Sequence, residues 1–290
     1  MKKIIISIFI FGFSLSSLHA QQAPRPLPAH IQQMDAATKL GWMYYRGIGT
    51  KPNYKKAFYW FEKGALNGSE QALFFRASML QRGRGVKKDE KRAFAILYDL
   101  AHKYANPHAA FKLSIAYEKG IGCEPDPAQS QRWLDFAATN GIPPAQLKKG
   151  LSLIEKQPVA GAKWVEQAAT HSHFRWANYQ LALLYAAGTG VTQNPQKALE
   201  TILPPAQQNL APAQWQLSQW YEQGFGTETN LQYAFDWALK AAQNGIKEAQ
   251  LKVANYYRNG TGTSVNTKQA KYWEKQAQKI GQNKKREEFY

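Results

Sequence analysis

The segment LYAAGTGVTQNPQKALE, residues 184–200, decides the fold. Its first part is apolar at helical spacing and stops at the glycine pair Gly188 and Gly190. Glycine adopts the left-handed conformation that ends a helix at the lowest cost. Asn194 then offers a side-chain cap, and Pro195 fits the first turn of a helix. The segment therefore predicts a helix, a short reversing loop and a second, antiparallel helix.

This pattern recurs along most of the chain, at intervals close to 36 residues with one interval of 68. The Gly-x-Gly pairs begin at Gly47, Gly83, Gly120, Gly188, Gly224 and Gly260. An alanine precedes each pair by eleven residues, and the long interval contains one further copy: Ala36, Ala72, Ala109, Ala145, Ala177, Ala213 and Ala249. The chain is therefore predicted to contain seven helical repeats.

Each repeat is predicted to consist of two helices, here called helix A and helix B. Helix A carries a small residue that lets a neighbouring helix approach closely, at Gly41, Ala77, Ser114, Gly150, Ala182, Ser218 and Ala254. Helix B carries a tryptophan at one fixed place in five repeats: Trp60, Trp133, Trp164, Trp237 and Trp273. We expect these rings to fill a continuous core and to dominate stability.

The repeats occupy residues 36–281, and the fourth, at 145–176, is degenerate. It lacks the Gly-x-Gly pair, so we expect a shortened turn there. In the fifth repeat, Pro204 and Pro205 fall inside the expected helix B, which we expect to break near Leu203 because proline removes a helical hydrogen bond.

The ends of the chain differ from the repeats. Residues 1–20 read as a secretory signal peptide: two lysines, a short apolar run, then small and polar residues. A proline-rich arm follows at 21–35, and 282–290 form a charged tail. The run is too short for a transmembrane helix. We therefore expect an exported protein, periplasmic or secreted, with no transmembrane span after cleavage.

The motif A-x-x-x-L-[small]-x-x-Y-x-x-G-x-G, followed by A-x-x-W as in AFDWALKAAQNG, resembles the Sel-one-like repeat, a subgroup of the tetratricopeptide-like solenoids. The resemblance implies an all-α, right-handed α/α superhelical solenoid whose helices A line a concave face. It also implies a scaffold for protein interactions, often in bacterial envelopes or in host contact.

No catalytic or cofactor-binding constellation is apparent in the sequence. It has no S-x-x-K, G-x-S-x-G, H-E-x-x-H or C-x-x-C motif. His171 and His173 form an H-x-H without a third ligand, and Cys123, the single cysteine, occupies a loop position that valine fills elsewhere. We predict a protein that is not an enzyme, with no cofactor and no metal. The alternative is a cell-wall-directed protein that binds or weakly hydrolyses β-lactam or peptidoglycan ligands.

A partner is expected to bind helix-A positions that the repeat leaves free. Arg76, like Lys149, stands where other repeats carry leucine or valine, so its charge must reach solvent, a local ion pair or a partner. The predicted partner-binding residues are Lys39, Trp42, Arg46, Phe75, Arg76, Arg82, Lys112 and Lys119.

The chain is strongly basic, with a formal net charge of +17. A positive surface attracts anionic partners. With export, this favours a protein or peptide partner, including an acidic one, or an anionic component of the envelope, and not nucleic acid. The protein is expected to be a monomer.

Overall fold

The computed structural model describes residues 34–171 and 174–282. The described ranges contain fourteen α-helices and no strand. The predicted signal peptide, nearly all of the arm and the tail, and His173 lie outside these ranges. In chain order the helices are α1 (Ala36–Arg46), α2 (Tyr54–Leu66), α3 (Glu70–Arg82), α4 (Glu90–Lys103), α5 (Pro107–Lys119), α6 (Pro127–Thr139), α7 (Pro143–Leu153), α8 (Pro158–Ala169), α9 (Arg175–Ala187), α10 (Pro195–Gln207), α11 (Ala211–Gln223), α12 (Leu231–Gln243), α13 (Lys247–Asn259) and α14 (Thr267–Gln282).

The chain divides into two compact units between Lys88 and Asp89. Unit 1 contains α1, α2 and α3, which all contact one another. Unit 2 contains α4 to α14, and each helix packs against the next along the chain. Adjacent paired helices of this kind define an all-α solenoid fold, so the predicted fold class is confirmed.

The loops between helix A and helix B follow the predicted chemistry. Gly188 ends α9 with φ +70°, and the glycines at the equivalent position end α1, α3, α5, α11 and α13 in the same left-handed conformation. The side chain of Asn194 accepts a hydrogen bond from the Lys197 backbone N–H at 2.9 Å, and Pro195 is the first residue of α10. These residues therefore fix where each helix stops and the next begins.

The fourth repeat has the shortened turn that its sequence predicts, with only residues 154–157 between α7 and α8. Here the two helices approach closely at Gly150 and Gly161. A Cβ atom on either glycine would lie 2.8 Å from the other's carbonyl oxygen. The small residue of helix A is thus required by direct contact between two backbones.

The prediction that all five tryptophans fill the core was wrong in part. Trp133 and Trp273 are buried, but the other three are half-buried. In six repeats the next residue of helix B is buried more completely, because one residue rotates a helical position by about 100°. These residues are Phe61, Leu97, Leu134, Val165, Ile202 and Ala238, all 3% exposed or less. In the seventh repeat the position holds Glu274, whose side chain is 37% exposed.

The prediction that helix B of the fifth repeat breaks near Leu203 was also wrong. Helix α10 continues through Pro204 and Pro205 to its last residue, Gln207. Both prolines lie in the final turn, so few helical hydrogen bonds follow them that could be disrupted. Pro205 is also buried against the core. The Leu210 N–H then donates to the Pro205 carbonyl at 3.0 Å, so the helix end is closed.

Three buried glutamines connect consecutive repeats of unit 2, a feature that the sequence reasoning missed. Gln146, Gln214 and Gln250 each follow the recurring alanine of a helix A (Ala145, Ala213 and Ala249) and are 7% exposed or less. Their side-chain amides donate to carbonyls near the end of the preceding helix B, those of Ala138, Ala206 and Ala242, at 3.0–3.3 Å. Each glutamine therefore adds a second donor to a carbonyl that already accepts from a backbone N–H of the following turn, that of Gly141, Asn209 or Gly245.

None of the helices in the described ranges has the length and apolar character that crossing a membrane requires.

Candidate partner-binding surface

Three predicted site residues share one face of α1. Lys39, Trp42 and Arg46 follow one another at helical spacings of three and four. Lys39 and Trp42 are half-buried and Arg46 is exposed. The Arg46 guanidinium lies 5.8 Å from the centre of the Trp42 ring, so the structure brings these two side chains together.

The three predicted residues of α3 have different environments. Phe75 stacks on Phe61 of α2, with ring centroids 4.9 Å apart, and therefore contributes to packing. Arg82 is exposed at the last position of α3. Arg76 is only 17% exposed, and its Nε lies 3.9 Å from a carboxylate oxygen of Glu62.

Arg76 in unit 1 and Lys149 in unit 2, the two cations at a core leucine position, each form an ion pair with the preceding helix B. Lys149, at the position equivalent to Arg76, has its Nζ 2.8 Å from Asp135 and 4.4 Å from the centre of the Trp164 ring. Asp135 and Glu62 occupy equivalent positions, two residues after the tryptophan of the preceding helix B. The local ion pair considered from the sequence therefore accounts for both cations.

Lys112 and Lys119, the two predicted residues of unit 2, both lie on α5. Lys112 is half-buried, whereas Lys119 is exposed at the carboxyl end of the helix. A cation at this end interacts favourably with the helix dipole. The role of the eight residues in partner binding stays a prediction.

Sequence reasoning missed two ion pairs that join successive helices A in unit 2. Lys148 on α7 contacts Glu118 on α5, and Lys252 on α13 contacts Glu222 on α11, each at 2.6 Å. In both pairs the partners are 30 residues apart. A search for opposite charges at this recurring spacing would have found them.

Several tyrosine side chains and the single cysteine of unit 2 have raised pKa values. Burial raises the pKa of the Tyr179 phenol, and burial together with the Glu222 carboxylate raises that of Tyr256. Burial also raises the pKa of the Cys123 thiol, whose Sγ lies 3.6 Å from the Ala116 carbonyl oxygen. These groups therefore stay protonated at neutral pH and do not supply an activated nucleophile.

No group of three or more histidine, cysteine, aspartate or glutamate side chains in residues 34–171 and 174–282 is arranged to hold a metal ion.

Stacked helix pairs, glycine-closed loops and ion pairs between equivalent helices define a helical repeat protein of the solenoid class. The family model described as Sel1 repeat matches seven segments: residues 35–69, 70–98, 107–142, 147–173, 177–200, 211–246 and 247–277. These segments cover more than half of the chain. The chain therefore belongs to the Sel1 repeat family, whose proteins act in protein–protein interaction or regulation.

Two solved structures share this fold. One is that of c5321, a protective antigen present in uropathogenic Escherichia coli strains, with a TM-score of 0.72 and 24% identity, covering 84% of this chain and 53% of that chain. The other is a Sel1 repeat protein from Oxalobacter formigenes, with a TM-score of 0.71 and 22% identity, covering 88% of this chain and 99% of that chain. At these identities the likeness shows the fold alone.

Among curated relatives, chitin synthase regulator SKT5 of Saccharomyces cerevisiae is 28% identical over 145 residues, which are 46% of this chain and 21% of that protein. The matched region spans about a fifth or less of the length of the first curated relatives.

Proposed function

We propose that this protein is a non-catalytic, exported scaffold that binds another protein through the surface of its helices A, in envelope function or in host contact. The observation that carries the proposal is the charged and aromatic set on α1, where the exposed Arg46 guanidinium lies 5.8 Å from the centre of the half-buried Trp42 ring. Arginine and tryptophan are the residue types enriched at binding hot spots. The family's role in interaction and regulation supports the same conclusion.

Site-specific photocrosslinking tests the binding surface. A photoreactive amino acid is placed at Arg46 on helix A or at Tyr59 on helix B, a matched control that is 52% exposed in the same unit. We expect one stoichiometric protein adduct from the Arg46 position and none from the Tyr59 position, in cells that express the full chain. Adducts from Tyr59 alone would contradict the assignment to helix A.

Export is proposed from residues 1–20, and the non-catalytic state from the motifs that the sequence lacks. Cell fractionation followed by terminal peptide mass spectrometry should find a mature chain that begins at Gln21.

Purified protein should leave the β-lactam nitrocefin intact. Hydrolysis at a rate proportional to protein concentration would favour the cell-wall-directed alternative. Sedimentation should give the mass of a monomer.

A further inference from the structure

Arg84 occupies an unusual position in the second Gly-x-Gly loop. The other repeats with this loop carry isoleucine, threonine or phenylalanine between the two glycines. Arg84 Nη1 donates a hydrogen bond of 2.7 Å to the Tyr45 hydroxyl. Its guanidinium carbon lies 6.0 Å from the centre of the Tyr45 ring and 5.7 Å from that of Tyr54. Two rings and one hydroxyl therefore hold this guanidinium in place.

The backbone of the loop explains how Arg84 reaches the tyrosines. Gly85 has φ +73°, and a Cβ atom there would lie 2.3 Å from the carbonyl oxygen of Tyr54. The loop thus lies directly on the first turn of α2, and the Tyr45 and Tyr54 rings contact each other edge-on at 5.4 Å. Tyr54 remains 39% exposed, so this arrangement is not part of the core.

The charge around Arg84 is arranged against the dipole of α2. The first turn of α2 contains Lys55 and Lys56 and no acidic residue. Cations at the amino end of a helix are unfavourable, because the dipole is positive there. Arg82, the last residue of α3, and Lys87 and Lys88 of the loop add three cations within one short segment. Lys56 Nζ lies 5.3 Å from the centre of the Tyr44 ring, which offsets part of this cost, and a local cost that is retained in a fold is typical of a binding site.

We propose that the Arg84 cluster, defined as Arg84, Tyr45, Tyr54, Lys55 and Lys56, binds an acidic segment of a protein partner. This inference rests on the proposed function in protein interaction and names the chemistry of the partner. A guanidinium presents planar donors that match a carboxylate in two parallel hydrogen bonds. Because Arg84 is already held by the tyrosines, binding loses little side-chain entropy.

The geometry favours an acidic peptide over single-stranded nucleic acid. Proteins that bind single strands stack successive bases on open aromatic faces. In the Arg84 cluster each tyrosine ring lies against the guanidinium and against the other ring. The cluster therefore offers cationic hydrogen-bond donors and not a stacking platform.

Fluorescence anisotropy with a labelled oligoglutamate peptide and the full chain tests the site. We expect Arg84→Gln to weaken binding about tenfold, the effect of losing one charge-assisted hydrogen-bonded contact. Arg84→Lys should also weaken binding, since lysine keeps the charge but not the planar fork. The matched control is Lys163→Gln, which removes an equal charge from an exposed position of α8 in unit 2 and should leave the affinity within about twofold.

The outcomes separate this inference from the proposed function. Equal weakening by Arg84→Gln and Lys163→Gln, with circular dichroism showing both variants folded, would overturn the site. Tighter, Arg84-dependent binding of an oligothymidylate of equal length would overturn the choice of an acidic peptide. If oligoglutamate does not bind while the Arg46 position still crosslinks to one protein, only the inference fails. Loss of that crosslink is the result that counts against the proposed function.

Discussion

A Cβ atom on Gly226 would lie 2.3 Å from the carbonyl oxygen of Pro195. Pro195 is the first residue of α10, so the loop of one repeat rests on the first turn of helix B in the repeat before it. The first glycine of each pair ends helix A, and in every pair after the first the second glycine allows neighbouring repeats to touch. A Cβ atom on Gly122, Gly190 or Gly262 would likewise lie 2.0–2.1 Å from the carbonyl oxygen of Glu90, Pro158 or Leu231, respectively.

Gly226→Ala should therefore destabilise unit 2 more than Gly141→Ala. Both glycines have positive φ, +73° and +79°, but no described atom outside its chain neighbours lies within 4 Å of a Cβ on Gly141. We expect Gly141→Ala to lower the free energy of unfolding by about 1 kcal/mol from backbone strain alone. Gly226→Ala should lose about 2 kcal/mol more, because the loop must move away from α10. Urea denaturation measures both, and equal losses would contradict the contact.

Ile202→Ala should cost much more than Thr201→Ala, although the residues are adjacent on α10. Ile202 is fully buried at the position after the tryptophan position, and its truncation leaves a cavity. We expect a loss of about 3 kcal/mol in the free energy of unfolding. Thr201 donates its hydroxyl to the Lys197 carbonyl at an exposed site, so its replacement should change stability by about 0.5 kcal/mol or less. The reverse order would show that the tryptophan position is the centre of the core.

The ion pair between Lys148 and Glu118 should contribute little to stability. Its side chains are 21% and 43% exposed, so solvent screens the attraction. A double-mutant cycle with Lys148→Gln and Glu118→Gln should give a coupling energy of about 0.5 kcal/mol that decreases in high salt. A coupling that does not change with salt would contradict this assignment of the pair to a solvated surface.

Cys123 should react slowly with iodoacetamide in the folded protein. Burial raises the pKa of its thiol, and the Glu124 and Asp126 carboxylates raise it further. Since the thiolate is the reactive form, alkylation at neutral pH should be slower than in the denatured chain and should accelerate as the pH rises through the folded-state pKa. Mass spectrometry of the Cys123 peptide measures both rates.

The same pKa shift has a defined effect on stability. Because the folded state holds the Cys123 proton to higher pH than the unfolded chain, the stabilising contribution is complete below the unfolded pKa and is lost as pH rises through the folded pKa. The Glu124→Gln variant tests the cause of the shift. It removes one of the two charges that raise the Cys123 pKa, so alkylation of the folded protein should accelerate. Asp126 is left intact because it caps α6. Faster alkylation of the folded than of the denatured chain would contradict the shift.

The fold could be predicted because glycine, asparagine and proline act locally. Gly188 and Asn194 determine helix ends through their own backbone and side-chain chemistry. Burial depends instead on how far each helix is rotated against its neighbours, and this is why the tryptophans at 60, 164 and 237 were assigned to the core although the residue after each of them is the more buried one. The continuation of α10 through Pro205 likewise depends on burial that the sequence alone does not reveal.

The candidate site was harder to predict than the fold. The pairing of Arg76 with Glu62 could be anticipated only as one of several solutions for a charge at a leucine position. The Arg84 cluster joins residues from three separate segments, Tyr45, Tyr54 and Arg84, and depends on a loop resting on the start of α2. Its one sequence signal was a cation between two glycines, where other repeats carry apolar or hydroxyl side chains.

The buried glutamines give three repeats of unit 2 an equivalent junction with the repeat before them. Gln214 brings its own donor to the Ala206 carbonyl of the repeat before it, and Gln250 does the same for Ala242. Excising the sixth repeat would thus place Gln250 beside the Ala206 carbonyl, an equivalent donor beside an equivalent acceptor. The length of such an array can grow or shrink by gene duplication or deletion in whole modules without leaving a mismatched junction.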